Sequence, residues 1–376
     1  MTEREVAELR RRFKADKSNI TRVKGCYVNA SGEQVCTFDQ SMVQLGQEEW
    51  EMVLGSLRRT LSGTLGKNLL ELEFDTQQVA YGEEHRLLMT LRSSQLEDEE
   101  ALDAFYRKVS QTVRLEENYL ILLACDTYDV PYRARDGEVQ EDRSADVFRY
   151  IVCGICPVKL TKAALSFLAH ENRFDHLSPD WAVSAPELGF LFPAFDERAT
   201  NLYNALYYTK SAGEDHREFI DAVFRTPAPI PADVQKESFQ SALGDALAED
   251  CSYQVVQAVH DSLRGMIEEH KANKLDEPLT VSRGAVEQVL KSCGVAEDRV
   301  ERFGEEYDRA FGEETSLPPR NLVDPRQLEI VTPDVTIRVH PDRGDLVETR
   351  VIDGARYILI RAEEDVTVNG VPVQIV

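Results

Sequence analysis

The chain has 376 residues, 42% of them hydrophobic, and a formal net charge of −24 at pH 7. A chain of this length and composition can bury several hydrophobic cores, which excludes disorder over most of it. The strong negative charge disfavours non-specific contact with DNA or with an anionic membrane surface.

The sequence also carries information about the compartment. The N-terminal stretch MTEREVAELRRRFKADK is charged throughout and lacks the apolar region of a signal peptide. There is no run of about 18 apolar residues, and the seven cysteines, an odd number, fit reduced thiols better than a disulfide framework. These features predict a cytoplasmic protein without a membrane partner, and they identify no cofactor.

Residues 1–112 are predicted to form an α+β segment. A capping-box pattern that starts at Thr2 predicts a first helix over residues 3–14. Turn residues between two apolar runs predict a β-hairpin from about residue 20 to 38.

Three further helices are predicted before the central region. The first has apolar residues at helical spacing and ends at Ser62-Gly63. The other two fall within residues 84–113, where acidic residues precede amphipathic stretches.

Residues 113–212 are predicted to form the central sheet. Two apolar runs, NYLILLACDTYDV and DVFRYIVCGICPV, have the length and the β-branched and aromatic content of buried strands. We expect them to pair as adjacent antiparallel strands at the centre of the sheet. Further aromatic-rich runs follow without regularly alternating helices, which favours a mixed or antiparallel sheet.

The C-terminal half is predicted to contain a helical region, residues 213–316, and a small all-β module, residues 320–376. In the second, Asp353-Gly354 and Asn369-Gly370 separate alternating apolar runs, which is typical of two-residue hairpin turns. A meander or compact barrel is expected there. The predicted fold class of the whole chain is therefore α+β.

Several segments carry a resemblance to known proteins: FKADKSNITRVKGCYV, TLSGTLGKNLLELEF, NYLILLACDTYDVPYRARDG, VFRYIVCGICPV, GFLFPAFDERATNLYNALYYTK and LEIVTPDVTIRVHPDR. The chain resembles, over nearly its whole length, a family of uncharacterised bacterial proteins, typical of Firmicutes, known only as a domain of unknown function. The resemblance implies one bacterial cytosolic protein and no established activity, cofactor or catalytic residue.

The N-terminal end is the one basic part of an acidic chain. Residues 1–70 hold 11 Lys and Arg against 9 Asp and Glu, which leaves a charge of −26 on the remainder. A basic segment on an acidic protein is a candidate contact for a polyanion. The residues predicted to contact RNA, including RNA in the ribosome, are Arg10, Arg11, Arg12, Lys24, Arg58, Arg59 and Lys67.

An alternative hypothesis makes the protein a magnesium-dependent hydrolase or nuclease. Asp126 and Asp129 close the first central strand, and Asp196 and Glu197 follow another strand-like run. If the two strand ends meet, their carboxylate oxygens are ligands that Mg²⁺ accepts. Turn-forming acidic residues on an acid-rich chain are the ordinary explanation of the same pattern.

Cys153 and Cys156 form a C-x-x-C pair, the remaining pattern that could bind a metal or take part in redox chemistry. It ends an apolar strand, whereas redox pairs begin a helix that lowers the thiol pKa. Cys125 on the partner strand would complete a three-thiol metal site, and buried structural cysteines are the other explanation.

No complete catalytic constellation occurs in the sequence. This favours a non-enzymatic binding or regulatory protein whose partner is a protein or RNA, and it leaves open whether the chain is an enzyme.

Overall fold

The structure is a computed structural model that describes residues 1–133, 139–214, 216–273, 278–362, 366–368 and 371–373. The chain divides into two compact units. Unit 1 spans Met1–Ala232 and also includes Pro278, and unit 2 begins at Asp233. The finer division into four segments stays a prediction.

Unit 1 is an α+β structure, as predicted. Its helices are α1 (Glu3–Arg10), α2 (Gln47–Arg59), α3 (Thr76–Tyr81), α4 (Glu83–Ser93), α5 (Glu99–Thr112) and α6 (Arg217–Phe224). Its strands are β1 (Arg22–Val28), β2 (Gln34–Ser41), β3 (Leu69–Glu73), β4 (Asn118–Arg133), β5 (Val139–Leu160), β6 (Ala164–Leu168), β7 (Arg173–Leu177), β8 (Trp181–Val183), β9 (Leu188–Phe192), β10 (Ala194–Asp196), β11 (Ala199–Asn201) and β12 (Asn204–Thr209).

The centre of unit 1 is an eight-stranded antiparallel sheet. Seven strands follow the order β2-β1-β4-β5-β9-β12-β3, and β8 extends the sheet by pairing with the end of β5. The two predicted central strands pair continuously from Asn118 opposite Val158 to Val130 opposite Asp146. The prediction of an antiparallel pair at the centre of the sheet is confirmed.

Successive side chains of a strand point to opposite faces, so the sheet has two cores. Core A packs the odd-numbered side chains of β4 against α4, α5 and α6, and it includes Leu91, Phe105 and Phe224. Core B packs the even-numbered side chains against α1 and α2, and it includes Leu9 and Leu57. Helix α6, which the sequence placed in the helical region, therefore covers the sheet.

Glycines allow α2 to approach the sheet closely. A Cβ on Gly189 would lie 2.3 Å from the carbonyl oxygen of Cys153 and 2.8 Å from the Cγ2 atom of Thr60. On Gly154 it would lie 3.2 Å from the same Thr60 atom. The two glycines thus leave the space that the buried Thr60 side chain occupies.

We expect Gly189→Ala to lower the free energy of unfolding of unit 1 by about 2–3 kcal/mol, because backbone atoms would have to move to accept the new methyl group. The matched control is Gly55→Ala in α2, where a Cβ meets no atom within 4 Å. That change should raise stability by about 0.5–1 kcal/mol through the lower entropy of the unfolded chain. Urea unfolding measures both, and equal effects would contradict the close-approach explanation.

Unit 2 contains the predicted helices and a set of short strands. Its helices are α7 (Ala232–Leu247), α8 (Tyr253–Asn273), α9 (Arg283–Ser292), α10 (Glu297–Phe311) and α11 (Pro319–Leu322). Its strands are β13 (Val281–Ser282), β14 (Ser316–Leu317), β15 (Leu328–Val331), β16 (Thr336–Val339), β17 (Val347–Ile352), β18 (Ala355–Ile360), β19 (Val366–Val368) and β20 (Val371–Val373).

The C-terminal strands form separate pairs where the sequence predicted a meander or compact barrel. They pair as β15–β16, β17–β18 and β19–β20. A 3-10 helical turn over Pro341–Leu346 separates the first two pairs. Asp353 and Gly354 both have positive φ in the β17–β18 turn, as predicted, whereas the Asn369-Gly370 turn lies outside the described residues.

Candidate functional site

Asp126 anchors the N-terminal segment to the sheet. Its side chain is only 1% exposed. It accepts hydrogen bonds from the backbone N–H groups of Asn19 (3.0 Å) and Thr127 (2.8 Å) and from the Tyr150 hydroxyl (2.8 Å). The Arg12 guanidinium lies 3.3 Å from the same carboxylate. The carboxylate oxygens are therefore occupied by groups of the protein itself.

Burial, with Asp126 next in importance, raises the pKa of Tyr150 well above its ordinary value. The phenol therefore stays protonated and donates to the carboxylate. A buried charge is tolerated when it is both paired and hydrogen-bonded, as this one is.

The other three candidate carboxylates do not form a common site with Asp126. Asp129 is three residues further along β4, so strand alternation puts its side chain on the opposite face, where it is exposed. Asp196 and Glu197 occupy the tight β10–β11 turn, where Asp196 lies 3.6 Å from the N-terminal amine of Met1. In the part of the chain that the structure describes, no three His, Cys, Asp or Glu side chains could hold a metal ion.

The three candidate cysteines are divided between the two faces of the sheet. Cys153 belongs to core A, against which Cys125 also packs, and Cys156 belongs to core B. Burial raises the pKa of Cys125 to about 11 and that of Cys156 to about 12, and it raises the pKa of Cys153 well above its ordinary value. Placed on opposite faces and protonated, the C-x-x-C cysteines do not form a shared thiolate site.

The predicted basic residues have three different environments. Arg12 is turned towards the sheet, where it pairs with Asp126 and lies 4.6 Å from the centre of the Tyr128 ring. Helix α1 ends at Arg10, earlier than predicted, and this lets Arg12 and the buried Phe13 reach the sheet.

Lys24 is buried in β1 at 8% exposure. Its ammonium lies 3.3 Å from Glu97 and 3.6 Å from Asp39, whose pKa is lowered mainly by a hydrogen bond from Arg22. These carboxylates neutralise Lys24 and hold it inside the fold. It is not available to a polyanion in this conformation.

Arg10 joins the basic ends of the first two helices. Its Nε donates to the carbonyl oxygen of Leu61, and its Nη2 donates to that of Gly63 at 3.1 Å. Burial lowers the Arg10 pKa, and Glu3 opposes this effect. Because Leu61 and Gly63 directly follow α2, the C-terminal ends of α1 and α2 lie side by side.

The exposed cations at this junction form what we call the basic cluster. Its members are Arg11, Arg58, Arg59 and Lys67. Within the described residues none of the four forms an ion pair with a carboxylate. Cations near helix C-termini offset the helix dipole and need no ligand to explain them. The structure adds that the Arg10 hydrogen bonds hold the end of α1, which Arg11 follows, beside the end of α2, which carries Arg58 and Arg59.

A family model described as a domain of unknown function, DUF4317, matches residues 1–371. The chain belongs to the DUF4317 family. No curated protein and no solved structure matches the chain. None of the described helices is both long and apolar enough to cross a membrane.

We expect Asp126→Asn to lower the free energy of unfolding by about 3 kcal/mol, because Arg12 would lose its charged partner beside a buried, hydrogen-bonded network. Asp129→Asn, on the same strand but exposed, is the control and should change stability by no more than about 0.5 kcal/mol. Chemical unfolding monitored by circular dichroism compares the two variants. Equal stabilities would show that Asp126 does not anchor the segment.

Thiol labelling tests the environment of the cysteines. At pH 8 a disulfide reagent should react quickly with the three exposed thiols and slowly with the other four, because burial keeps the latter protonated and shielded. The reactive thiols are Cys36, Cys251 and Cys293. Peptide mapping after brief labelling checks this, and early modification of Cys153 or Cys156 would contradict it.

Proposed function

We propose that this DUF4317 protein is a non-enzymatic binding protein that contacts RNA through the basic cluster. The observation that carries the proposal is the pair of Arg10 hydrogen bonds that brings the basic ends of α1 and α2 together. This arrangement places exposed cations that lack carboxylate partners at two adjacent helix ends of a chain whose net charge is −24.

The chemistry of the cluster fits a phosphate backbone. Arginine offers a planar fork of N–H donors that matches phosphate oxygens, and lysine adds a mobile point charge. Contacts of this kind position a nucleic acid without identifying its bases. The proposed ligand is therefore single-stranded or ribosomal RNA bound without strong sequence preference, in the cytoplasm of a bacterium.

The rest of the protein restricts where RNA would bind. The remaining surface is strongly acidic and repels phosphates, so it confines a polyanion to the cluster. Arg12 and Lys24 are not part of the proposed RNA contact, because both already pair with carboxylates of the protein. The alternative hypothesis of a magnesium-dependent reaction gains no support, because Asp126 and Asp129 lie on opposite faces of the sheet and the other two candidate carboxylates lie in the β10–β11 turn.

The proposal predicts RNA binding that weakens with salt, by roughly 0.7 in log K per unit of log salt concentration for each phosphate neutralised. Fluorescence anisotropy with a labelled single-stranded RNA measures the slope. Arg58→Glu combined with Arg59→Glu should weaken binding about tenfold or more and reduce the slope, since both contacts become repulsive.

The control variant reverses Lys291 and Arg326 to Glu, two exposed residues of unit 2, and so changes the net charge by the same amount. It should bind RNA as the unmodified chain does. The proposal fails if the unmodified protein does not bind RNA at low salt, or if both double variants lose affinity equally.

A further inference from the structure

A cleft of about 290 Å³ opens in unit 1 between the central sheet and the loop that joins α4 to α5. Its floor includes Arg22 and Lys24 of β1 and Cys125 and Thr127 of β4, and residues 94–97 of the loop form a wall. The volume is at the lower limit of small-molecule sites. We call this space the strand cleft.

Arg149 of β5 borders the strand cleft. It lies directly opposite Thr127, and cross-strand partners project from the same face of a sheet. Burial raises the pKa of Cys125, the preceding residue of β4 on that face, and among the nearby charges Arg149 opposes this effect most. The positive charge of Arg149 therefore acts on the floor of the cleft.

The two cations that line the cleft are already paired inside the protein. Arg22 donates two hydrogen bonds to the Asp39 carboxylate, at 2.8 Å and 2.6 Å. The Lys24 ammonium lies 3.3 Å from Glu97 and 3.6 Å from Asp39. These two side chains shape the cleft without offering it an unbalanced charge.

Arg149 differs from them. No carboxylate among the described residues forms an ion pair with it, although Asp129 lies two residues beyond Thr127 on the same face. Its Nε atom is buried and has no hydrogen-bond acceptor in that part of the chain. Buried donors without acceptors are rare, because the hydrogen bond lost with water is not replaced. An acceptor brought to this guanidinium would therefore be bound favourably.

The wall of the cleft is fixed in an uncommon backbone conformation. Gln95 and Leu96 have φ of 54° and 66°, in the left-handed region that residues with long side chains rarely adopt. Leu96 is buried in core A, and its N–H donates to the carbonyl oxygen of Leu91 at 2.9 Å. Backbone held in this way is concentrated at binding sites. It keeps the exposed Gln95 amide beside the cleft.

We propose that the strand cleft binds a small oxyanion compound, one with a carboxylate or phosphate group, through the Arg149 guanidinium. The planar fork of arginine donors matches the oxygens of either group in pairs. The Thr127 hydroxyl and the Gln95 amide offer further donors and acceptors to the rest of the ligand. This site is independent of the RNA contact proposed above, because the basic cluster contains none of these residues.

Thermal unfolding of the full chain tests the proposal. The probes are sodium phosphate, sodium pyruvate and sodium benzoate, with sodium chloride at equal ionic strength as the reference. A ligand at about ten times its Kd stabilises the state that it binds, so at least one probe should raise the midpoint by roughly 3–6 °C. Calorimetric titration gives the Kd, and the probe with the lower Kd identifies the bound group.

Arg149→Met should weaken binding of that probe about tenfold or more, because it removes the guanidinium fork and keeps an unbranched side chain. The matched control is Arg107→Met, which removes an exposed arginine of α5 that does not line the cleft. It should bind the probe as the unmodified protein does.

A second variant covers the case in which Arg149→Met fails to fold. Thr127→Tyr fills the cleft from β4 without a change of charge and should also abolish binding, while a cooperative transition without probe shows that it is folded. The proposal is overturned if no probe shifts the midpoint of the unmodified protein, or if binding survives in either folded variant. RNA binding of the same variants is measured separately and should be unchanged.

Discussion

The central constraint on unit 1 is that β4 and β5 are apolar on both faces. An antiparallel sheet with one solvated face shows alternating polar and apolar residues, whereas these strands read as nearly continuous apolar runs. Both faces must then be covered. Core A obtains its cover from α4, α5 and α6, and core B from α1 and α2. The positions of the helices, and with them the basic cluster, follow from that requirement.

Much of this architecture could be predicted from local sequence patterns. The hairpin turn at Asp353-Gly354, the capping box at Thr2 and the pairing of β4 with β5 depend on neighbouring residues or on long apolar runs, and all three are confirmed. The membership of α6 in unit 1 depends on its contacts with core A, which amphipathic spacing alone does not specify. Local patterns identify an element more readily than its partner.

In the candidate site, even more of the structure depends on long-range packing that local sequence patterns do not reveal. Arg12 and Lys24 look like surface cations in the sequence, and both are paired in the fold. The carboxylate that pairs with Arg12 is Asp126, 114 residues away along the chain, and Lys24 on β1 meets Glu97 from the loop between α4 and α5. Likewise, no feature of the sequence indicates that Arg10 links α1 to α2 through hydrogen bonds. Such contacts arise only when distant segments pack together.

The late position of α6 has a consequence for synthesis of the protein. The last strand of the sheet, β12, ends at Thr209, but core A lacks Phe219, Ile220 and Phe224 until the next helix has been made. A nascent chain that has completed its sheet still exposes apolar residues of β9 to water and to other chains. Folding of unit 1 during translation therefore cannot finish before α6 emerges from the ribosome, and a ribosome stalled earlier would display an aggregation-prone intermediate.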